Sequence, residues 1–327
     1  MPRVLIAPQP LAALEGPFKE LLRGVGFDMT YPPRPAQMTE DELLQALPGI
    51  SATIAGSEPY TRRVLAASPA LRVIARAGVG YDAVDLAAAT EHGVAVAIAP
   101  GTNQDAVAEH TFAMILALAK RLVGQHNAVK AGGWPRQANL PVRGRTLGIV
   151  GLGRIGKAVA VRGEAFGMRL LAYEPFPGAD FVARHHVTLA PLEQLLREAD
   201  FLTLHLPLTP ESRQLINRRT LALVRPSCFL INTARGGLVY EADLVEGLRG
   251  GRLAGAALDV FEEEPPRADN PLLALDNVVL TPHGAGVDVQ SRDDMALSAA
   301  QAIVRLSCGE WPAEQIVNPE VRSRFRW

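Results

Sequence analysis

The sequence is short of cysteine, of net basic charge and of long apolar runs, and each shortage excludes something. Its two cysteines, Cys228 and Cys308, form no CxxC pair. Neither a disulfide framework nor a thiolate metal centre is expected, no other metal site is indicated, and a cytoplasmic location suits such a chain. The longest apolar stretch within a predicted helix, "FAMILALA" at 112 to 119, falls well below the ~20 residues that span a bilayer. No signal peptide precedes "RVLIAP", so no membrane partner is expected. Lysine occurs four times among 33 basic residues, and the net charge of -1 leaves no basic surplus for nucleic acid. Internal repeats and low-complexity tracts are missing too.

What is present is a chain of 327 residues with 48% hydrophobic content, enough for two domains with ordinary cores. Short apolar runs alternate with helical spacing, the pattern of βαβ units around a parallel sheet. "RVLIA", "SATIA", "LRVIA" and "VAVAIA" are the candidate strands of the first hundred residues. Pro100-Gly101 breaks the pattern, and Asn103 or Asp105 can cap a long helix running through Arg121. From residue 145 the strands become cleaner: "RTLGIV", "RLLAY", "FLTLH", "CFLIN", "AGAALDV" and "NVVLT". Gly151, Glu174, Pro207, Arg235, Glu262 and His283 lie just past their ends, and open α/β sheets hold ligands at that carboxyl edge.

The sharpest motif is Gly151-Leu152-Gly153-Arg154-Ile155-Gly156, which follows a strand and opens a helix. Glu174 stands 18 residues past the last glycine, at the end of the next strand. Strand, glycine turn, helix and acid together fit a dinucleotide: the turn admits the pyrophosphate, and the acid binds ribose hydroxyls. Because this motif begins so far along, a dinucleotide domain inserted into another α/β domain is expected, the chain leaving near residue 100 and returning near 288.

Other residues on that edge are modest singly. Arg235, in "INTARGG", can grip a carboxylate through two hydrogen bonds, and its glycines let the backbone approach a ligand closely. His283, in "TPHGAG", is a candidate acid/base, and Glu264, held extended by Pro265, is a candidate partner favouring its charged form. Oxidising a 2-hydroxy acid requires a hydride acceptor, a base for the hydroxyl proton and a cation for the carboxylate, which NAD, His283 and Arg235 would supply.

"RAGVGYDAVD", "GTNQDAVAEHTFAMILALAKR", "VGLGRIG", "LHLPLT", "NTARGG", "ALDVFEEEP" and "TPHGAG" occur in this order. Together they resemble the D-isomer-specific 2-hydroxyacid dehydrogenases, near their phosphoglycerate dehydrogenase branch. The resemblance implies two doubly wound parallel-sheet domains. A Rossmann NAD-binding domain over 101–287 would be inserted into a flavodoxin-like substrate domain made of 1–100 and 288–327. It implies that Arg235 binds and polarises the substrate, that His283 is the acid/base with Glu264 as its partner, and that Val79, Gly80 and Asn103 meet the substrate carboxylate. It implies further that Asp259 holds the nicotinamide carboxamide, that Thr233 and Gly284 line its site, and that His205 and Pro207 follow the cofactor crevice. Trp134 lies where such proteins often build dimer contacts, so a homodimer is expected. Two departures stand out: Glu58 occupies the loop where phosphate-recognising relatives often place an arginine, and the chain stops too early for an appended regulatory domain. A small 2-hydroxy or 2-oxo acid is the expected substrate. An NAD-sensing scaffold of the corepressor kind is the competing reading.

Overall fold

Within each apolar run of the first hundred residues, neighbouring side chains must face opposite sides of a sheet, since a strand repeats every two residues. The computed structural model, which describes residues 1–34 and 36–327, builds this alternation into a sheet buried on both faces. Its strands are β1 (Arg3–Ile6), β2 (Asp28–Thr30), β3 (Ala52–Ala55), β4 (Val73–Arg76) and β5 (Ala95–Ala97), all parallel in the order β2-β1-β3-β4-β5. Val4, Ile6, Val73 and Ala75 enter one core layer with Phe18, Leu22 and the carboxy-terminal residues Ala296, Ala300 and Ile303. Leu5, Ile74 and Val96 enter the opposite layer with Leu43, Val64 and Ala88. This unit comprises Met1–Asn103 and Asp288–Trp327. Its carboxy-terminal helix, Val289–Ser307, starts at a reciprocal cap between Asp288 and Ser291.

The second unit, Gln104–Val287, carries β6 (Thr146–Val150), β7 (Arg169–Tyr173), β8 (Thr188–Leu189), β9 (Phe201–Leu204), β10 (Phe229–Asn232), β11 (Gly255–Leu258) and β12 (Val278–Leu280). These are parallel in the order β12-β11-β10-β9-β6-β7-β8. Strand order reverses between β6 and β9, the switch point at which doubly wound sheets open a crevice. Helix Gln104–Ala119 packs on this sheet through Ala108, Phe112 and Ile115. Arg162 bridges Asp105 at 3.1 Å and Glu109 at 3.0 Å, tying that helix to helix Arg154–Ala165.

The α/β class inferred from the alternating runs is the one adopted, with three local differences. The edge strands β2 and β8, three and two residues long, were absent from the expected set. The stretch 11–25 holds two helices, Gln9–Ala12 and Pro17–Gly24, because Gly16-Pro17 interrupts it. The long helix ends at Ala119, and after Arg121, whose φ of 48° is left-handed, a separate helix runs over Leu122–Lys130. Among the described residues no helix is long and apolar enough to cross a membrane.

Candidate active site

Every strand of the second sheet is parallel, so residues just past their ends gather on one edge. The glycine turn after β6 shows why its residue types are required. A side chain at Gly156 would come within 2.0 Å of the Gly151 carbonyl oxygen, so only glycine lets the helix start this close to the strand. Gly151 has φ of 96° and lies against the backbone of His205, which leaves β9 across the switch point. Gly153 faces open space, and Arg154 beside it is exposed while Ile155 is half-buried. Helix Arg154–Ala165 begins without a side-chain cap and without an acidic residue in its first turn, leaving its amides and positive dipole end for an anion. Glu174 follows β7 and accepts hydrogen bonds from the Leu152 amide at 2.8 Å and the Phe176 amide at 3.0 Å. The carboxylate thus braces the glycine turn and keeps lone pairs for a ribose. This donor and acceptor set fits a dinucleotide.

Pro207 is exposed, and half-buried His205 contacts Thr203 at 2.8 Å. Removal from water pushes the His205 imidazole well below its ordinary value, so it is neutral at physiological pH.

Arg235 leaves β10 through a turn fixed by Asn232, whose side chain accepts from the Ala234 amide at 3.0 Å and donates to the Arg235 carbonyl at 2.8 Å. Nη1 of Arg235 reaches the Ala234 carbonyl at 2.6 Å. Gly236, expected to let a ligand approach, instead abuts another backbone: a side chain there would stand 1.8 Å from the Phe261 carbonyl oxygen. The Arg235 turn and the segment leading to Glu264 are therefore packed peptide against peptide.

Glu264 accepts from the Phe261 amide at 2.9 Å through one oxygen and meets His283 Nδ1 at 2.6 Å through the other. Partial burial pushes its carboxyl up. The hydrogen bonds from His283 and Phe261, with the charges of His283 and Arg235, outweigh that and hold it below the ordinary carboxylate range. An ionised carboxylate only accepts, so Nδ1 carries a proton and Nε2 is the nitrogen available for proton transfer. His283 adopts a left-handed φ of 53°, a conformation a non-glycine residue keeps only when its surroundings impose it.

Asp259 imposes it. The residue is fully buried, its carbonyl accepts from the His283 amide at 2.8 Å, and its carboxylate accepts from Thr281 Oγ1 at 2.6 Å and from the Gly284 and Ala285 amides, each at 2.9 Å. Thr233 turns toward helix Gln104–Ala119, its hydroxyl 3.1 Å from that of Thr111. Asn232, Thr281 and His110 were not singled out for this site. Only Asn232 leaves a local trace, an asparagine two residues before the amide it binds.

In the first unit, Val79 and Gly80 follow β4 in a half-buried turn, and Asn103 is buried after β5. Arg76 Nε donates to the Gly80 carbonyl at 2.7 Å, fixing that peptide's direction. Glu58, 2% exposed, accepts from the Gly56 amide at 2.6 Å and lines a cleft of 290 Å³ with Pro8, Gln9, Gln37 and Ser57. Burial raises its carboxyl, against the opposing pull of the Glu58 and Gly56 amides and the Arg76 charge.

Residues 112–285 match the family profile described as "D-isomer specific 2-hydroxyacid dehydrogenase, NAD binding domain". A glyoxylate reductase of Korarchaeum cryptofilum is 41% identical over 271 residues, 81% of either chain. The chain belongs to the D-isomer specific 2-hydroxyacid dehydrogenase family. A D-3-phosphoglycerate dehydrogenase of Methanocaldococcus jannaschii is 40% identical over 285 residues, 86% of this chain and 54% of that one. The chain thus spans about half the length of that relative. The solved D-lactate dehydrogenase of Aquifex aeolicus, complexed with NAD and lactic acid, has a TM-score of 0.85 at 29% identity, covering 97% of this chain and 99% of its own. The family's cofactor is NAD, and the second unit carries its binding domain.

Proposed function

We propose that this family member oxidises a small D-2-hydroxy acid, or reduces the matching 2-oxo acid, and does so with NAD. The observation that carries the reading is the Glu264–His283 pair at 2.6 Å, with Arg235 close enough for its charge to act on Glu264. When bound, NAD supplies the acceptor for the hydride leaving C2. The glycine turn Gly151, Gly153, Arg154, Ile155, Gly156 and the helix start behind it hold the pyrophosphate, and Glu174 the ribose. His205, Pro207, Thr233 and Gly284 flank the cofactor, and the Asp259 carboxylate sets the turn that borders it.

Arg235 grips the substrate and draws electron density toward its C2 oxygen. In oxidation His283 Nε2 takes the hydroxyl proton as the hydride departs. In reduction the same nitrogen returns a proton to the carbonyl oxygen. Glu264 holds Nδ1 in both directions and offsets the imidazolium charge.

The buried carboxyl of Glu58 beside the cleft supports an unphosphorylated substrate, because it stands where a cation would be needed to hold a phosphate. Reduction of glyoxylate, hydroxypyruvate, pyruvate and phosphohydroxypyruvate with NADH tests this. Turnover is expected on an unphosphorylated acid, whereas NADH binding without turnover on any of them would replace the reading with a sensor.

The helix Leu122–Lys130 buries no residue of its own, and Leu122, Val123, Val129 and nearby Trp134, 78% exposed, leave apolar surface uncovered. This supports a homodimer through that face, in the cytoplasm as the unpaired cysteines suggest. Sedimentation of the parent and of Trp134→Glu checks it, with a parent that sediments as a monomer counting against the dimer.

A further inference from the structure

Of the second-unit histidines without a role so far, His110 is the one whose bonds both fix where its proton is and lead to the turn of His283. His110, on helix Gln104–Ala119, places Nε2 3.0 Å from Thr281 Oγ1. Thr281 has a single hydroxyl proton, and that proton goes to Asp259 Oδ1, 2.6 Å away, because a carboxylate can only accept. Toward His110 the threonine oxygen is therefore an acceptor, and His110 Nε2 must carry a hydrogen. The same nitrogen lies 3.7 Å from Asp259 Oδ1, so the carboxylate's charge also favours a hydrogen there.

The chain His110 to Thr281 to Asp259 ends on the turn holding His283. Asp259 receives the Gly284 and Ala285 amides through its carboxylate and the His283 amide through its carbonyl. Thr281 lies two residues before His283 and is itself anchored by its amide on the Leu258 carbonyl at 3.0 Å. The left-handed φ of His283 persists because these bonds over-determine the turn. Removing the donor at the head of the chain takes one of the two hydrogen bonds at the half-buried Thr281 hydroxyl and leaves it held through Asp259.

We propose that His110 is a positioning residue for proton transfer: its Nε2–H, donated to Thr281, holds the hydroxyl and the Asp259 carboxylate that together set the direction of His283. The proposal rests on the reading of His283 as the acid/base, and two measurements keep the two apart. The first requires no turnover. In protein labelled with nitrogen-15 histidine, the ring signals of His110, assigned by their loss in His110→Gln, should show the proton on Nε2 in the neutral ring. The Thr281→Val protein should lose that preference. A neutral His110 protonated on Nδ1 would overturn the proposal whether or not the enzyme turns over.

The second measurement is kinetic. His110→Ala should lower kcat for 2-oxo acid reduction about tenfold while KM for acid and NADH stays within about twofold, since the acid/base is misdirected rather than the ligands lost. His110→Gln, whose side-chain amide restores an N–H at similar reach, should recover to within about threefold of the parent. Glutamine as damaging as alanine, or alanine as active as the parent, refutes it. Should His110→Ala fail to fold, glutamine and the nitrogen-15 spectrum still decide. A parent inert on every 2-oxo acid sinks the dehydrogenase reading alone.

Discussion

The closest backbone approach in the site gives the sharpest prediction, for Gly236→Ala. The new methyl carbon would stand 1.8 Å from the Phe261 carbonyl oxygen, 1.9 Å from its carbon and 2.6 Å from the Glu262 nitrogen, where ordinary contact begins at 3.4 Å. All three atoms are backbone, so no rotamer relieves the overlap. One segment must retreat by about 1.5 Å to reach ordinary van der Waals separation. Either choice disturbs the reaction, because the 235–238 turn carries Arg235 and the 261–264 segment carries Glu264, braced on the Phe261 amide. Misplacement on the order of 1 Å costs about a hundredfold in rate, so kcat/KM for 2-oxo acid reduction should fall by about that factor, or roughly 2.7 kcal/mol. Overpacking should also lower stability by about 1–3 kcal/mol. Kinetics at a temperature below the Tm measured for parent and variant, with the folded fraction checked by circular dichroism, separates the two effects. Gly237→Ala is the internal control, since its methyl would meet only side-chain atoms, Leu208 at 3.0 and 3.2 Å and Arg213 at 3.6 Å, all able to move. A folded Gly236→Ala enzyme as active as Gly237→Ala would refute the argument that this approach aligns the site.

Three more outcomes follow from the same geometry. Arg235→Lys should stay folded and lose at least about 100-fold in kcat/KM, because an ammonium cannot reproduce a planar two-pronged grip, and near-normal turnover would remove Arg235 from substrate binding. For Glu264→Gln the sign comes from the carboxyl's depressed value: in the parent it stays ionised down to pH values below the ordinary carboxylate range, so it supports the imidazolium throughout the working range. Glutamine removes that charge, and the alkaline fall of the reductive rate should begin at lower pH; an unchanged profile would detach Glu264 from the mechanism. With Glu174 intact, NADH should exceed NADPH at least about tenfold in kcat/KM, since a 2'-phosphate meets a like charge. Glu174→Ala should shrink that ratio chiefly by weakening NADH, because the Leu152 and Phe176 amides lose their acceptor as well. Equal use of both cofactors by the parent would overturn the assignment.

Strand ends and the glycine turn were legible because parallel strands buried on both faces write themselves as continuous apolar runs, and the residue after each run must reach the carboxyl edge. β2 and β8 escaped notice since edge strands of two or three exposed or half-buried residues bury too little to leave a pattern. The break at Arg121 escaped it because nothing in the residue type demands a left-handed φ. Asp259 illustrates a different limit. Its place after β11 was readable, but whether its carboxylate faces a ligand or the neighbouring turn depends on the amides of 284 and 285, which fold back only after β12. His110 and Thr281 are 171 residues apart, a separation no periodicity bridges.

The discontinuous first unit constrains how the protein can be made. Val4, Ile6, Val73 and Ala75 share a core layer with Ala296, Ile303, Ile316 and Val321, and the buried Asn318 side chain hydrogen-bonds the backbone of Val94 and Val96 beside and within β5. On a ribosome adding about 5–20 residues per second, roughly 10–40 s separate Asn103 from Asn318. Through that interval the second unit emerges complete, while one apolar face of the first sheet stays only partly covered, by Phe18 and Leu22. Nascent chains halted after residue 287 should therefore carry a protease-resistant second unit attached to an amino-terminal segment that engages holding chaperones. A stop codon or frameshift near the carboxyl terminus would do its damage to the segment translated first, Met1–Asn103.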